Sequence, residues 1–192
     1  MQMEKASGVD LVSSALTKTM GAGDSARATG RYTIECRDAE GNLKWTLEPK
    51  NLVVNEGLQD MNTKYFTGST YTATWYIGLY GAASSNNPLA TDTAALHPGF
   101  TEITPYSNAT RPAATFGAAT SADPSVISNS GSPAAFNINN TATVGGAFLI
   151  SNNTKGGSTG VLFSASDFAA PGDRTVASGD TLNVTYTFSL DA

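Results

Sequence analysis

The stretch DTLNVTYTFSL at residues 180–190 puts Leu182, Val184, Tyr186, Phe188 and Leu190 at every second position, with Thr181, Asn183, Thr185, Thr187 and Ser189 between them. That period of two belongs to a β-strand, whose side chains point alternately to opposite faces. A strand of this kind is apolar on one side and wet on the other. It is stable only where a second apolar layer covers it.

The same grammar recurs along the chain. RYTIECR (31–37) alternates, DAEGN (38–42) supplies a glycine-containing turn, and LKWTLEP (43–49) returns, which reads as a hairpin. ATWYIGLYG (73–81) is an aromatic-rich strand, with Trp75, Ile77 and Leu79 on one face and Tyr76, Gly78 and Tyr80 on the other. A long loop, 82–99, carries an NNP turn signal, and FTEIT and ATFGAA read as short strands around RPA. AAFNIN (134–139), TATVGGAFLIS (141–151), GVLFSAS (160–166) and RTVAS (174–178) complete the set, separated by Gly, Asn and Ser clusters. Glycines paired inside TVGGAF predict a bulge or a close backbone approach rather than a phosphate cradle. One segment breaks the pattern. NEGLQDMNTKYF (55–66) predicts a helix capped by Asn55, with Glu56 complementing its dipole and Leu58, Met61, Tyr65 and Phe66 near one face. The expected fold is mainly β: an antiparallel β-sandwich or jelly roll with one short helix.

Residues 1–30 stand apart as an N-terminal arm, and residues 31–192 form the expected β-sandwich domain. In the arm, Val9, Val12, Leu16 and Met20 recur at three- and four-residue spacing, which fits a short amphipathic helix. GAGDSARATG (21–30) then reads as a flexible linker. A short helix with one apolar stripe has little to bury against alone, so these four residues are candidate contacts to a partner, the alternative being a frayed or self-docked terminus. No apolar run of signal-peptide or membrane-spanning length follows Met1, so the expectation is a protein made in a cytoplasm. The N-x-[ST] sequons are then accidents of composition.

Charged residues make up 14% of the chain, against roughly 25% in an average domain. Short neutral polar side chains replace them, as in many secreted or assembled β proteins. The net charge of -5 and the absence of a Lys/Arg run argue against direct DNA or RNA binding, which needs a basic face. The lone cysteine, Cys36, excludes an intrachain disulfide and a Cys-based metal site, and alternation predicts it buried.

Chemistry has few candidates. The only histidine, His97, lies in LHPGFTEITPYSNATRP (96–112), near Glu102, Tyr106 and Arg111. A hydrolytic triad also needs a nucleophile, and no G-x-S-x-G accompanies it. One histidine builds no His-rich metal centre, so no metal or cofactor is expected. His97-Pro98-Gly99 reads as a turn. Carboxylates such as Glu35, Glu48, Glu56, Asp60, Asp92, Glu102 and Asp167 stand mostly in turns or on polar faces, and Asp173 and Asp180 look like turn formers in PGDR and SGDT. No catalytic residue is assigned. Tyr76 and Tyr80 form a second buried face or an interface, and they join the arm residues as candidate partner contacts.

The stretches NLVVNEGLQDM (51–61), WYIGLYGAA (75–83), HPGFTEITPYSNATRPAATFGAA (97–119), SNSGSPAAFNINNTATVGGAFLISNNTKGG (128–157) and VASGDTLNVTYTFSL (176–190) resemble tailed-bacteriophage virion proteins. The resemblance spans most of residues 31–190 and leaves the arm outside it. It implies a non-enzymatic structural protein, of the kind that decorates or cements a capsid. Its partner would be the major capsid protein, its location the capsid exterior, and its form a homo-oligomer, a trimer being favoured. A repeating lattice lets many weak arm contacts act together. Two rivals follow: a neck, tail or head-fibre component touching host surface glycans, and a small hydrolase built on paired carboxylates.

Overall fold

The computed structural model describes residues 26–71, 74–81, 87–97, 100–168 and 172–191. Two antiparallel sheets pack face to face as a β-sandwich. The first holds β1 (Arg27–Arg37), β2 (Leu43–Leu47), β6 (Ser125–Ser128), β7 (Ala134–Asn137) and β11 (Thr181–Asp191), in the order β2-β1-β11-β6, with β7 also paired to β11. The second holds β3 (Lys50–Val53), β4 (Trp75–Gly81), β5 (Ala113–Ala114), β8 (Ala142–Ile150), β9 (Leu162–Asp167) and β10 (Arg174–Val176), in the order β3-β9-β8-β4-β5, with β10 also on β8. Between β3 and β4 stands the helix α1 (Asn55–Thr67).

The alternation of β11 is the axis of the first sheet. Leu182, Val184 and Tyr186 are fully buried and meet Tyr32, Ile34, Cys36 and Phe136 from β1 and β7. Ile77, Leu79, Ala147 and Leu149 of the second sheet close the same core. The second sheet is apolar on its other face too, where Tyr80, Phe148, Ile150, Leu162 and Ala165 pack under Ala94 and Phe100 of the long loop. Covering on both faces explains why β8 reads as a continuous apolar run rather than an alternation.

The glycine pair in β8 does what its place in a strand predicts. The ladder slips between Tyr80 and Gly81, which pair with Gly146 and Val144, so Gly145 bulges. A Cβ on Gly146 would collide with the Tyr80 ring, so the tyrosine lies flat over that backbone. Cys36 is buried, as alternation predicts, and burial pushes its thiol up to about 11.

Several boundaries differ from the sequence reading. β1 begins at Arg27, and its first residues pair with Asp191 to Phe188, so ATG of the expected linker is strand. β3 and β6 were not expected, being short and not alternating. Of FTEIT, only Glu102 bridges, to Tyr80, and of the strand expected in ATFGAA only Ala114 lies in β5. The cap of α1 is Val54 rather than Asn55, with no side-chain cap bond. Val54 is fixed instead by burial and by donating its amide to the Phe163 carbonyl at 3.1 Å. Glu56 accepts the amides of Ala94 (2.9 Å) and Leu162 (2.6 Å), tying the helix to the long loop and to β9. Among the described residues, no helix is long and apolar enough to cross a membrane.

Candidate functional site

The residues around the single histidine do converge. His97, Glu102 and Arg111 line one cavity of about 400 Å³ with Phe100, Phe148 and Gly156. Arg111 is buried, at 2% exposure. Its Nε donates to Glu102 Oε1 at 2.9 Å and its Nη2 to Oε2 at 2.7 Å. Its remaining hydrogen bonds are to carbonyls: Nη1 to Asn152 at 2.8 Å and Nη2 to Gly157 at 2.8 Å. Glu102 also accepts the Gly156 amide at 2.6 Å. A carboxylate held by a bidentate guanidinium and an amide is stabilised in its charged form, which makes it a weak general base. The pair staples the loop before β5 to the turn between β8 and β9. His97 stacks on Phe100 with centroids 4.3 Å apart, and its Nδ1 donates to the Phe100 carbonyl at 2.9 Å. These are the bonds of a turn holding its own shape. Tyr106 does not line the cavity. It is buried against Phe136, with the Lys155 ammonium 3.9 Å above its ring.

Among the described residues, Asp167 and Asp173 lie close enough for one carboxylate to act on the other. Burial, and then the charge of Asp173, pushes the Asp167 carboxyl above its ordinary range. Tyr80 donates to the Ser166 carbonyl at 2.6 Å and lies 3.5 Å from Asp167 Oδ1. Asp180 is a turn residue, as its sequence context predicts. Burial pushes its carboxyl up, but the Ala177 amide and the Lys44 ammonium outweigh that and leave it below its ordinary value. Among the described residues, no group of three or more His, Cys, Asp or Glu side chains is arranged to hold a metal ion.

The second opening is of another kind. A groove of about 410 Å³ enters the sandwich between the sheets, at the end where α1 sits. Ile127, Tyr186 and Phe188 line it from the first sheet, Trp75, Leu149 and Phe163 from the second, and Met61, Tyr65, Tyr71 and Phe116 from the helix and loops. Its charged lining is Asp60 and Lys64, which face each other across 3.9 Å. Lys64 also donates to the Thr70 carbonyl. Tyr65, Phe66 and Tyr71 are 82%, 77% and 69% exposed. A buried helix face through Tyr65 and Phe66 is therefore not what forms. Gly57 and Met61 anchor α1 on β9 and the core, and the last turn projects beyond them. Three large aromatics exposed beside an apolar groove are more than scattered surface hydrophobes.

The candidate contacts separate. Tyr80 is a core residue, 1% exposed, and its hydroxyl is spent on Ser166, so it presents nothing to a partner. Tyr76 is half-buried against the same cluster. Their face of β4 is a second buried face. Trp75 lines the groove from the opposite face, half-buried against Phe163 with centroids 5.4 Å apart. Val9, Val12, Leu16 and Met20 lie outside the described residues. Phe116, Ile127 and Phe163 went unread as site residues because they come from segments far apart in sequence. No protein-family model matches the chain, and no curated protein matches it.

Proposed function

We propose that this chain is a non-enzymatic structural protein of a phage virion, a decoration or cement protein seated on the outer capsid lattice. The observation that carries this reading is the adhesive end of the sandwich. An apolar groove flanked by exposed Tyr65, Phe66 and Tyr71 sits at one end of a body built from two hydrogen-bonded sheets. That arrangement suits a rigid block attached by one end. The resemblance of residues 31–190 to virion proteins supplies the setting, and the major capsid protein is the partner it names. The histidine cavity supports the non-enzymatic part of the reading, since Glu102 and Arg111 are consumed by each other.

A second reading, a neck, tail or head-fibre component that touches glycans, draws on the same exposed aromatics. Aromatic rings stack on sugars, but sugar hydroxyls also need convergent polar partners. The groove offers Asp60 and Lys64, already facing each other, which favours an apolar occupant.

The test is a cryo-electron-microscopy reconstruction of the particle carrying this protein, with copy number from quantitative mass spectrometry. Density at regular positions over the capsid, at hundreds of copies, is the expected result. Density confined to the neck or tail at a few copies moves the assignment to the second reading. A particle without the protein overturns both. Removing residues 1–25, which leaves β1 whole, is expected to lower capsid occupancy.

A further inference from the structure

We infer that the groove between the sheets is the seat of this chain's own residues 9–20, which place Val9, Val12, Leu16 and Met20 against its walls. The inference does not use the virion reading. It rests on where the groove opens and on what leaves the body there.

Along the inner face of β11, Tyr186 is fully buried, Phe188 is half-buried and Leu190 is 39% exposed. The sandwich therefore opens progressively toward the end of that strand. Those residues pair with Tyr32, Gly30 and Ala28 of β1. The open end of the core is thus the end at which the chain enters β1. Phe188 and its cross-strand neighbour Ile127 both line the groove. From Gly30, opposite Phe188, the strand runs back to Arg27 over about 10 Å.

Residues 21–26 link that point to Met20 and can span up to roughly 20 Å. Met20 can thus reach the groove mouth. At helical spacing Val9, Val12, Leu16 and Met20 would form one apolar stripe, which matches the chemistry of a groove walled by apolar side chains from both sheets. A tether this short holds its end at an effective concentration on the order of millimolar, so even a weak contact is populated.

The test uses the full chain with Leu16→p-benzoylphenylalanine, photo-activated and mapped by peptide mass spectrometry. A far-ultraviolet circular dichroism spectrum like that of the parent protein confirms that the sandwich is intact. Cross-links to Met61, Tyr65 or Phe116 are expected, and the same probe at Lys18, off the stripe, is expected to give several-fold fewer of them. Mixing isotopically light and heavy protein reads whether the seated segment is the chain's own or a neighbouring copy's: cross-links within one chain are expected, and cross-links between light and heavy chains overturn the inference. In parallel, Leu16→Asp in the full chain is expected to raise acrylamide quenching of Trp75 fluorescence at least two-fold, with Trp45→Phe as the background. Cross-links elsewhere on the body, an absence of cross-links, or unchanged quenching overturns the inference. A failure of the capsid experiment leaves this one standing.

Discussion

Breaking the Arg111–Glu102 pair is the perturbation that most directly tests whether the histidine cluster is structure or chemistry. The two side chains are 1% and 6% exposed, so neither charge can fall back on water once its partner is gone. Removing one member of such a pair costs about 3–5 kcal/mol. Glu102→Gln keeps the shape and an acceptor for the Gly156 amide but strands the guanidinium. Arg111→Met strands the carboxylate and also loses the guanidinium's place over the Phe148 ring, 5.3 Å from its centroid. For a urea slope of about 2 kcal/mol/M, either change moves the unfolding midpoint down by roughly 1.5–2.5 M with an unchanged slope. The double variant removes both charges together. It is expected to cost at least about 2 kcal/mol less than the sum of the singles. Urea titrations followed by tryptophan fluorescence give all four corners of the cycle. A coupling below about 1 kcal/mol, the range of exposed pairs, refutes the argument that this pair is a buried staple.

Asp180→Asn, which loses the charge on the 2.6 Å bond to Lys44, is expected to cost about 1.5–3 kcal/mol at neutral pH. Because the carboxyl sits below its ordinary value when folded, its contribution is present above the unfolded pKa and disappears as pH falls through the folded one. The two proteins should converge in thermal melts at the acid end, and a constant gap would count against the ion pair. Asp167 has the opposite sign. Its raised carboxyl disfavours folding above the folded pKa and stops doing so as pH falls through it, so Asp167→Asn is expected to raise Tm at pH 7 but not at acid pH. A lower Tm at pH 7 would mean the charge is used. Gly57→Ala should destabilise despite alanine's helix preference of about 1 kcal/mol, because its Cβ would meet the Phe163 backbone at 2.5 Å; an unchanged urea midpoint would show that α1 can lift from β9. Cys36, buried and with its thiol up at about 11, should react with a thiol reagent only at the rate of unfolding, and fast labelling in native buffer would contradict its burial.

The β class was legible because period two is a local property. Leu182, Val184 and Tyr186 can share a face only in a strand, whatever covers them. The turn at 38–42 and the turn role of Asp180 were equally local, set by Gly and Asp chemistry within a few residues. The cap of α1 was not local. Asn55 has the right side chain, yet burial of Val54 under β9 fixed where the helix starts. Nor could helical spacing tell a covered face from a projecting one, so Tyr65 and Phe66 looked like core and are surface. β3 and β6 escaped notice because their pairing with β9 and β11, not their own pattern, makes them strands.

The site divides in the same way. Sequence placed His97, Glu102 and Arg111 near one another and found no nucleophile beside them. It could not show that Glu102 and Arg111 neutralise each other, because that depends on Gly156, Gly157 and Asn152 arriving from a turn some forty residues away. The groove is a product of tertiary structure alone. Its walls come from both sheets, a helix and two loops, and its mouth is at the end of β1 because β11 runs antiparallel to that strand along its whole length. Sequence by itself determined what each segment can be, because backbone sterics and side-chain period act over a few residues. Which apolar surfaces were left uncovered was decided only when distant strands took their registers, because burial is a property of what the rest of the chain brings to a face.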